Sequence, residues 1–132
     1  MERKIPINAQ EGSNTRAVGT GGEHAAADYL IAQNYRIIHR NWRCRFGEID
    51  LIAKDPDGVT VFVEVKKARG RSFGSPESWV HARKQQKIYR LAQAYIYQHK
   101  LHSLKSRFDV VTVSMRKGEP FIHHIKNAFI KM

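Results

Sequence analysis

Two short β-branched runs with a turn between them constrain this chain more than any other feature. Gly47-Glu48-Ile49-Asp50-Leu51-Ile52-Ala53 and Val59-Thr60-Val61-Phe62-Val63-Glu64-Val65-Lys66 alternate as strands do, and Asp55-Pro56-Asp57-Gly58 links them. Pro56-Asp57-Gly58 suits a three-residue hairpin loop, with Pro at the second turn position and Gly taking the left-handed conformation that closes it. In that register Asp55 faces Val59, Ile52 faces Phe62, Asp50 faces Glu64 and Glu48 faces Lys66. The last three pairs share one face because side chains alternate along a strand. Two carboxylates then meet at roughly 5 Å between β-carbons.

Like charges set directly opposite each other destabilise a sheet, so this arrangement calls for protonation, a neighbouring cation or a bound metal. Lys66 is one cation at hand. A divalent ion is a stronger one, since hard Mg2+ or Mn2+ prefers carboxylate oxygen and keeps positions open for water and phosphate. The plainer alternative is a hairpin whose open face carries solvated charges paired with Lys66 and nearby arginines. A register slip of one residue would separate Asp50 from Glu64.

The 132 residues suit one domain with a single core. Twenty-three Lys and Arg against twelve Asp and Glu give a net charge of +11, which folding does not require and which favours a polyanionic partner. Nucleic acid leads. An anionic membrane surface is the competitor, but no apolar amphipathic segment with basic flanks offers an anchor. No apolar run is long enough to span a bilayer, and the first fifteen residues lack the apolar stretch of a secretory signal. Cys44 is the only cysteine, so neither an internal disulfide nor a zinc cluster built on thiolates can form. The expectation is a cytoplasmic protein with a flexible tail over residues 1–17 and one domain over residues 18–132.

Along the chain, Ala25, Ala26, Tyr29, Leu30 and Ala32 predict a first helix from about Thr20 to Gln33 with Glu23 in its first turn. Tyr35 to Trp42 precedes the Asp50 and Glu64 strands, so three sequential antiparallel strands are expected. A second helix opens at Ser75-Pro76 or settles near Arg83, with Ile88, Leu91, Ala92, Tyr95 and Ile96 toward the core. From Ser78 to Phe108 the chain has seven Lys and Arg and no acidic residue. Arg107 to Ser114 and Pro120 to Lys126 complete the set as a strand pair. The predicted fold class is α/β, a central mixed five-stranded sheet flanked by helices.

Several motifs are recognisable together: Gly22-Glu23-His24-Ala25-Ala26, Asn41-Trp42-Arg43-Cys44-Arg45-Phe46-Gly47-Glu48-Ile49-Asp50, Phe62-Val63-Glu64-Val65-Lys66, Phe73-Gly74, Arg107-Phe108-Asp109-Val110-Val111 and His124-Ile125-Lys126-Asn127-Ala128-Phe129. Over about residues 19 to 130 they resemble the YraN family of bacterial proteins. That family in turn resembles the restriction-endonuclease-like nucleases and Holliday junction resolvases, whose signature is an Asp followed after a variable gap by Glu-x-Lys. Asp50, Glu64, Val65 and Lys66 match it position by position, while Ile49 stands where the superfamily carries Pro.

The resemblance implies a metal-dependent endonuclease that hydrolyses DNA, branched or single-stranded DNA included, and leaves 5'-phosphate and 3'-hydroxyl ends. Asp50, Glu64 and Lys66 would be catalytic. Asp50 and Glu64, with Glu23 and the Val65 carbonyl, would hold Mg2+ or Mn2+. A homodimer is expected by analogy with resolvases. Arg43, Arg45, Lys67, Arg69 and Arg71 at the rim, with Arg83, Lys84 and Lys87 on the helix, are candidates for phosphate contacts. Trp42, Phe46, Phe73 and Trp79 could stack on bases, although aromatic residues beside strands more often belong to a core. A non-catalytic nucleic-acid-binding module with a nuclease-like fold stays open as the alternative, as does a basic surface that docks an acidic protein.

Overall fold

The structure, a computed structural model, describes residues 2–4, 21–68, 82–100 and 105–128. In chain order these form β1 (Glu2–Lys4), α1 (Gly21–Ala32), β2 (Arg36–Cys44), β3 (Gly47–Lys54), β4 (Thr60–Ala68), α2 (Ala82–Gln98), β5 (Ser106–Arg116) and β6 (Glu119–Ile125). The strands make one mixed sheet in the order β1-β6-β5-β4-β3-β2. The five expected strands are present, and β2, β3 and β4 run antiparallel in sequence. β5 lies parallel to β4, so the chain that includes α2 crosses over between them, as parallel neighbours require. The sixth strand, Glu2–Lys4, pairs with β6 inside the stretch read as a flexible tail. Three residues are too few to register as a periodic pattern.

The β3–β4 hairpin keeps the register read from its turn. Leu51, Ile52, Ala53 and Lys54 face Val63, Phe62, Val61 and Thr60. Gly58 takes a positive φ of 87°, and its N–H donates to the Asp55 carbonyl at 2.9 Å. Asp55 Oδ1 accepts the N–H groups of Asp57 and Val59, each at 2.9 Å. Such a side-chain turn explains why Asp favours this position.

Alternation along the strands divides the core in two. Leu51, Ala53, Val61, Val63, Val111 and Val113 pack under α1 against Ala26, Ala27 and Leu30. Ile52, Phe62, Phe108 and Val110 pack under α2 against Ile88, Leu91, Ala92 and Tyr95, the apolar stripe that helical spacing predicts. Helix α1 ends where Asn34 turns to φ 70°. Tyr35 N–H then reaches the Leu30 carbonyl and Asn34 N–H the Ile31 carbonyl, both at 2.9 Å, which satisfies the last orphan carbonyls of the helix.

A buried polar network ties the hairpin-turn end of the sheet together. Asp109, fully buried, accepts from Arg107 Nε at 3.0 Å, the Asn127 N–H at 2.9 Å and His124 Nε2 at 2.8 Å. With Nε2 donating, His124 Nδ1 is left to accept the Tyr29 hydroxyl at 3.1 Å. Arg107 also donates to Asp55 at 2.5 Å and to the Tyr35 hydroxyl at 2.7 Å. Burial alone would raise the Asp109 carboxyl, but the bonds from His124, Asn127 and Arg107 outweigh it and hold the group below its ordinary value. The Arg107-Phe108-Asp109 and His124…Asn127 motifs thus secure β5, β6, α1 and the hairpin turn to one another.

Candidate functional site

At the other end of the same hairpin, the backbone ladder between β3 and β4 stops at Leu51↔Val63. Two residues further along β4, the Val65 N–H donates instead to Asp50 Oδ2 at 2.8 Å. The expected ladder pairs Asp50–Glu64 and Glu48–Lys66 therefore do not form. The pleat also breaks here: Ile49 packs with the α2-side core and Leu51 with the α1-side core, although strict alternation places both on one face. Asp50 lies at the break, where its carboxylate meets groups from both sides of the sheet.

From α1 comes Glu23, in the first turn of the helix. Glu23, Glu48 and Asp50 each offer an oxygen, and the three atoms lie within 4.8 Å of one another. From β4 comes Glu64, whose charge also acts on Asp50. Burial pushes the Asp50 carboxyl up, repulsion from Glu64 and Glu23 adds to it, and the Val65 N–H only partly offsets them. The result is about 7. One Glu23 oxygen, Oε1, is buried with no hydrogen-bond partner, and such an orphan is costly unless something absent from the bare protein satisfies it. Closely spaced hard oxygen donors, one of them unpaired, fit a divalent cation.

Glu64 has a different partner from the one expected. Its Oε2 is ion-paired at 2.5 Å with Lys84 Nζ from the first turn of α2, whereas Lys66 is half-buried further along β4. Glu48, missed as a candidate ligand, pairs across the strands with Arg43 at 3.2 Å. Its position two residues before Asp50 on the same strand was the available signal.

The basic residues are dispersed around this centre. Arg43 is 76% exposed, Arg45 lies over the exposed Phe46 ring at 5.0 Å, and Lys67 and Arg83 are exposed. The Lys67 stem crosses Gly22, where a Cβ would come within 2.9 Å of it. Lys87 lies against Gly47, whose φ of 138° and 3.1 Å clearance to Lys87 Cε both favour glycine. Arg69, Arg71, Phe73, Trp79 and the Ser75-Pro76 helix start lie outside the described residues. Trp42 is no stacking platform, because its ring is buried edge-to-face against Tyr95 at 5.3 Å. Among the described residues no helix is long and apolar enough to cross a membrane.

The model of the uncharacterised protein family UPF0102 matches residues 22–113, a span that holds Glu23, Glu48, Asp50, Glu64, Lys66 and Lys84. The chain belongs to this family. UPF0102 is the YraN family that the motifs resemble. A UPF0102 protein of Symbiobacterium thermophilum is 54% identical over 116 residues, covering 87% of this chain and 98% of the relative. Another from Trichlorobacter lovleyi is 49% identical over 119 residues, covering 89% and 94%. Among solved structures, a complex of EndoMS with double-stranded DNA aligns at a TM-score of 0.39 and 17% identity, over 74% of this chain and 38% of that longer one. The UPF0102 chain's order of helix, three antiparallel strands, helix and parallel return strand fits the restriction-endonuclease-like fold expected from its motifs.

Proposed function

We propose that this protein is a metal-dependent endonuclease that hydrolyses phosphodiester bonds in DNA. The observation that carries the proposal is the convergence of Glu23, Glu48 and Asp50, beside Glu64, where the hairpin ladder ends. Asp50, Glu64 and Glu23 are assigned as holders of Mg2+ or Mn2+, with Glu48 added from the geometry. Such an ion, when bound, relieves charge on the phosphoryl oxygens and acidifies water.

The remaining roles belong to the chain's own groups. Asp50 accepts the Val65 N–H, which fixes the carboxylate's orientation and leaves its other oxygen for the site. Lys66 orients the attacking water, helps remove its proton and offsets the negative charge that develops on the phosphate. Arg43, Arg45, Lys67, Arg83, Lys84 and Lys87, with Arg69 and Arg71, hold the nucleic-acid backbone. The proposal includes one domain over residues 18–132 whose sheet is extended by the Glu2–Lys4 strand, a cytoplasmic location and a homodimer.

A second reading, a nuclease-like module that binds nucleic acid without cutting it, draws on the Lys84–Glu64 pair, which neutralises one catalytic carboxylate internally. A panel of branched, single-stranded and duplex DNA, incubated with Mg2+ or Mn2+ beside the Asp50→Asn protein, separates the two. The endonuclease reading expects metal-dependent cutting of at least one substrate by the native protein and none by Asp50→Asn. Binding without cutting across the whole panel would favour the module.

A further inference from the structure

Glu64 and Lys84 form an unequal pair. The Glu64 side chain is 12% exposed and fixed on a central strand, whereas that of Lys84 is 41% exposed and reaches in from the surface of α2. The first turn of α2 carries Arg83 and Lys84 and no acidic residue, the reverse of the charge order that a helix macrodipole favours. A lysine at that position therefore gains nothing from its own helix. An anion nearby satisfies both the lysine and the helix end, and in the bare protein that anion is Glu64.

We infer that Lys84 is the internal counter-cation of this site, holding Glu64 until a divalent ion replaces it, and that nucleic-acid phosphate favours the exchange by drawing the lysine away. The inference rests on the proposed metal site. An ammonium 2.5 Å from Oε2 already neutralises the charge that an ion on Glu64 draws on, and two cations on one carboxylate repel each other, so the lysine and the ion compete for it. Lys84 can leave at little cost, because its ammonium returns to water, but Glu64 cannot follow it and needs another positive charge. A phosphate at the start of α2 offers Lys84 an alternative anion. Metal loading and nucleic-acid binding then strengthen each other by the same factor, as linkage demands.

The test is a calorimetric titration of Mn2+ into native protein, Lys84→Met, Lys84→Arg, Arg90→Met and Asp50→Asn, without nucleic acid and then with a saturating short DNA duplex. Without DNA, Lys84→Met binds Mn2+ about three- to tenfold more tightly than native, the range set by a partly exposed ion pair plus the loss of a nearby like charge. Lys84→Arg keeps a cation on Glu64, and Arg90→Met removes an exposed cation further along α2; both stay within about twofold of native. With DNA, the ratio between native and Lys84→Met falls toward one, because the lysine is then engaged by phosphate. Lys84→Gln serves as a second neutral variant, and circular dichroism confirms that each protein is folded.

Equal tightening in Lys84→Met and Arg90→Met would overturn the inference and leave only a general charge effect. So would an unchanged affinity in Lys84→Met while Asp50→Asn loses binding, and that result would leave the metal site standing. If native and Lys84→Met both fail to bind Mn2+, the inference and the metal site fall together.

Discussion

The Val65 N–H donates to the Asp50 carboxylate at 2.8 Å, just beyond Leu51 and Val63, the last backbone pair of the hairpin. A side chain there takes over the role of a ladder carbonyl. The bond turns Asp50 out of the pleat and into reach of Glu23, Glu48 and Glu64, at the cost of crowding negative charge that the bare protein offsets only in part.

That crowding gives stability a pH dependence with a definite sign. The Asp50 carboxyl stands at about 7 in the folded protein against an ordinary 3.8, so between those limits the folded state binds the extra proton. Stability of the metal-free protein should fall as pH rises from about 4 through about 7. Asp50→Asn keeps an acceptor for Val65 and carries no charge. Urea denaturation at pH 8 should find it more stable than native by on the order of 1–2 kcal/mol, with the difference shrinking toward pH 4. A variant less stable than native at pH 8 would contradict this.

Lys66→Ala should separate binding from chemistry. If Lys66 acts on water and developing charge while the carboxylates hold the ion, cleavage falls by roughly 100-fold or more. The rise in melting temperature on adding Mn2+ should persist. Loss of both effects together would place Lys66 among the groups that build the site.

Affinity for DNA should drop steeply with salt, because phosphate contacts release counterions. Arg43→Gln and Lys87→Gln should each lower the slope of log K against log salt by about one, as fluorescence anisotropy over a salt series can measure. A slope unchanged in both would remove these residues from the interface.

Asp109→Ala should cost about 1–3 kcal/mol in urea denaturation at pH 7, since it leaves Asp55 as the one carboxylate on Arg107 and takes the acceptor from His124 Nε2 and the Asn127 N–H. Because the Asp109 carboxyl is held below its ordinary value, its contribution is present above that value and lost as pH falls through the lower one. The native and Asp109→Ala proteins should therefore converge in stability toward acid pH.

The hairpin was legible because its loop is chemically explicit. Pro56 and Gly58 fix the turn, and the turn fixes the pairing of Ile52 with Phe62. Glu23 was legible through its place in a helix's first turn, and the buried stripe of α2 through its spacing. Local rules did not reach what followed. The ladder's end at Leu51 depends on a side chain competing with backbone for the Val65 N–H, and no propensity encodes that competition. Glu48, two residues before Asp50 on the same strand, was passed over because the hairpin register set it opposite Lys66, a pair that does not form. Lys84 meets Glu64 only because the crossover sets the start of α2 near the middle of the sheet. Trp42, weighed as a base-stacking residue, went to the core. Strand β1 was hidden by its three-residue length.

The most direct measurement of the central claim is the binding of Mn2+ to native protein and to Asp50→Asn, followed by calorimetry at pH 7.5 without nucleic acid. Saturable binding by the native protein that disappears in the variant is the predicted result. No binding by native protein, or equal binding by both, would contradict a metal centre built on Asp50.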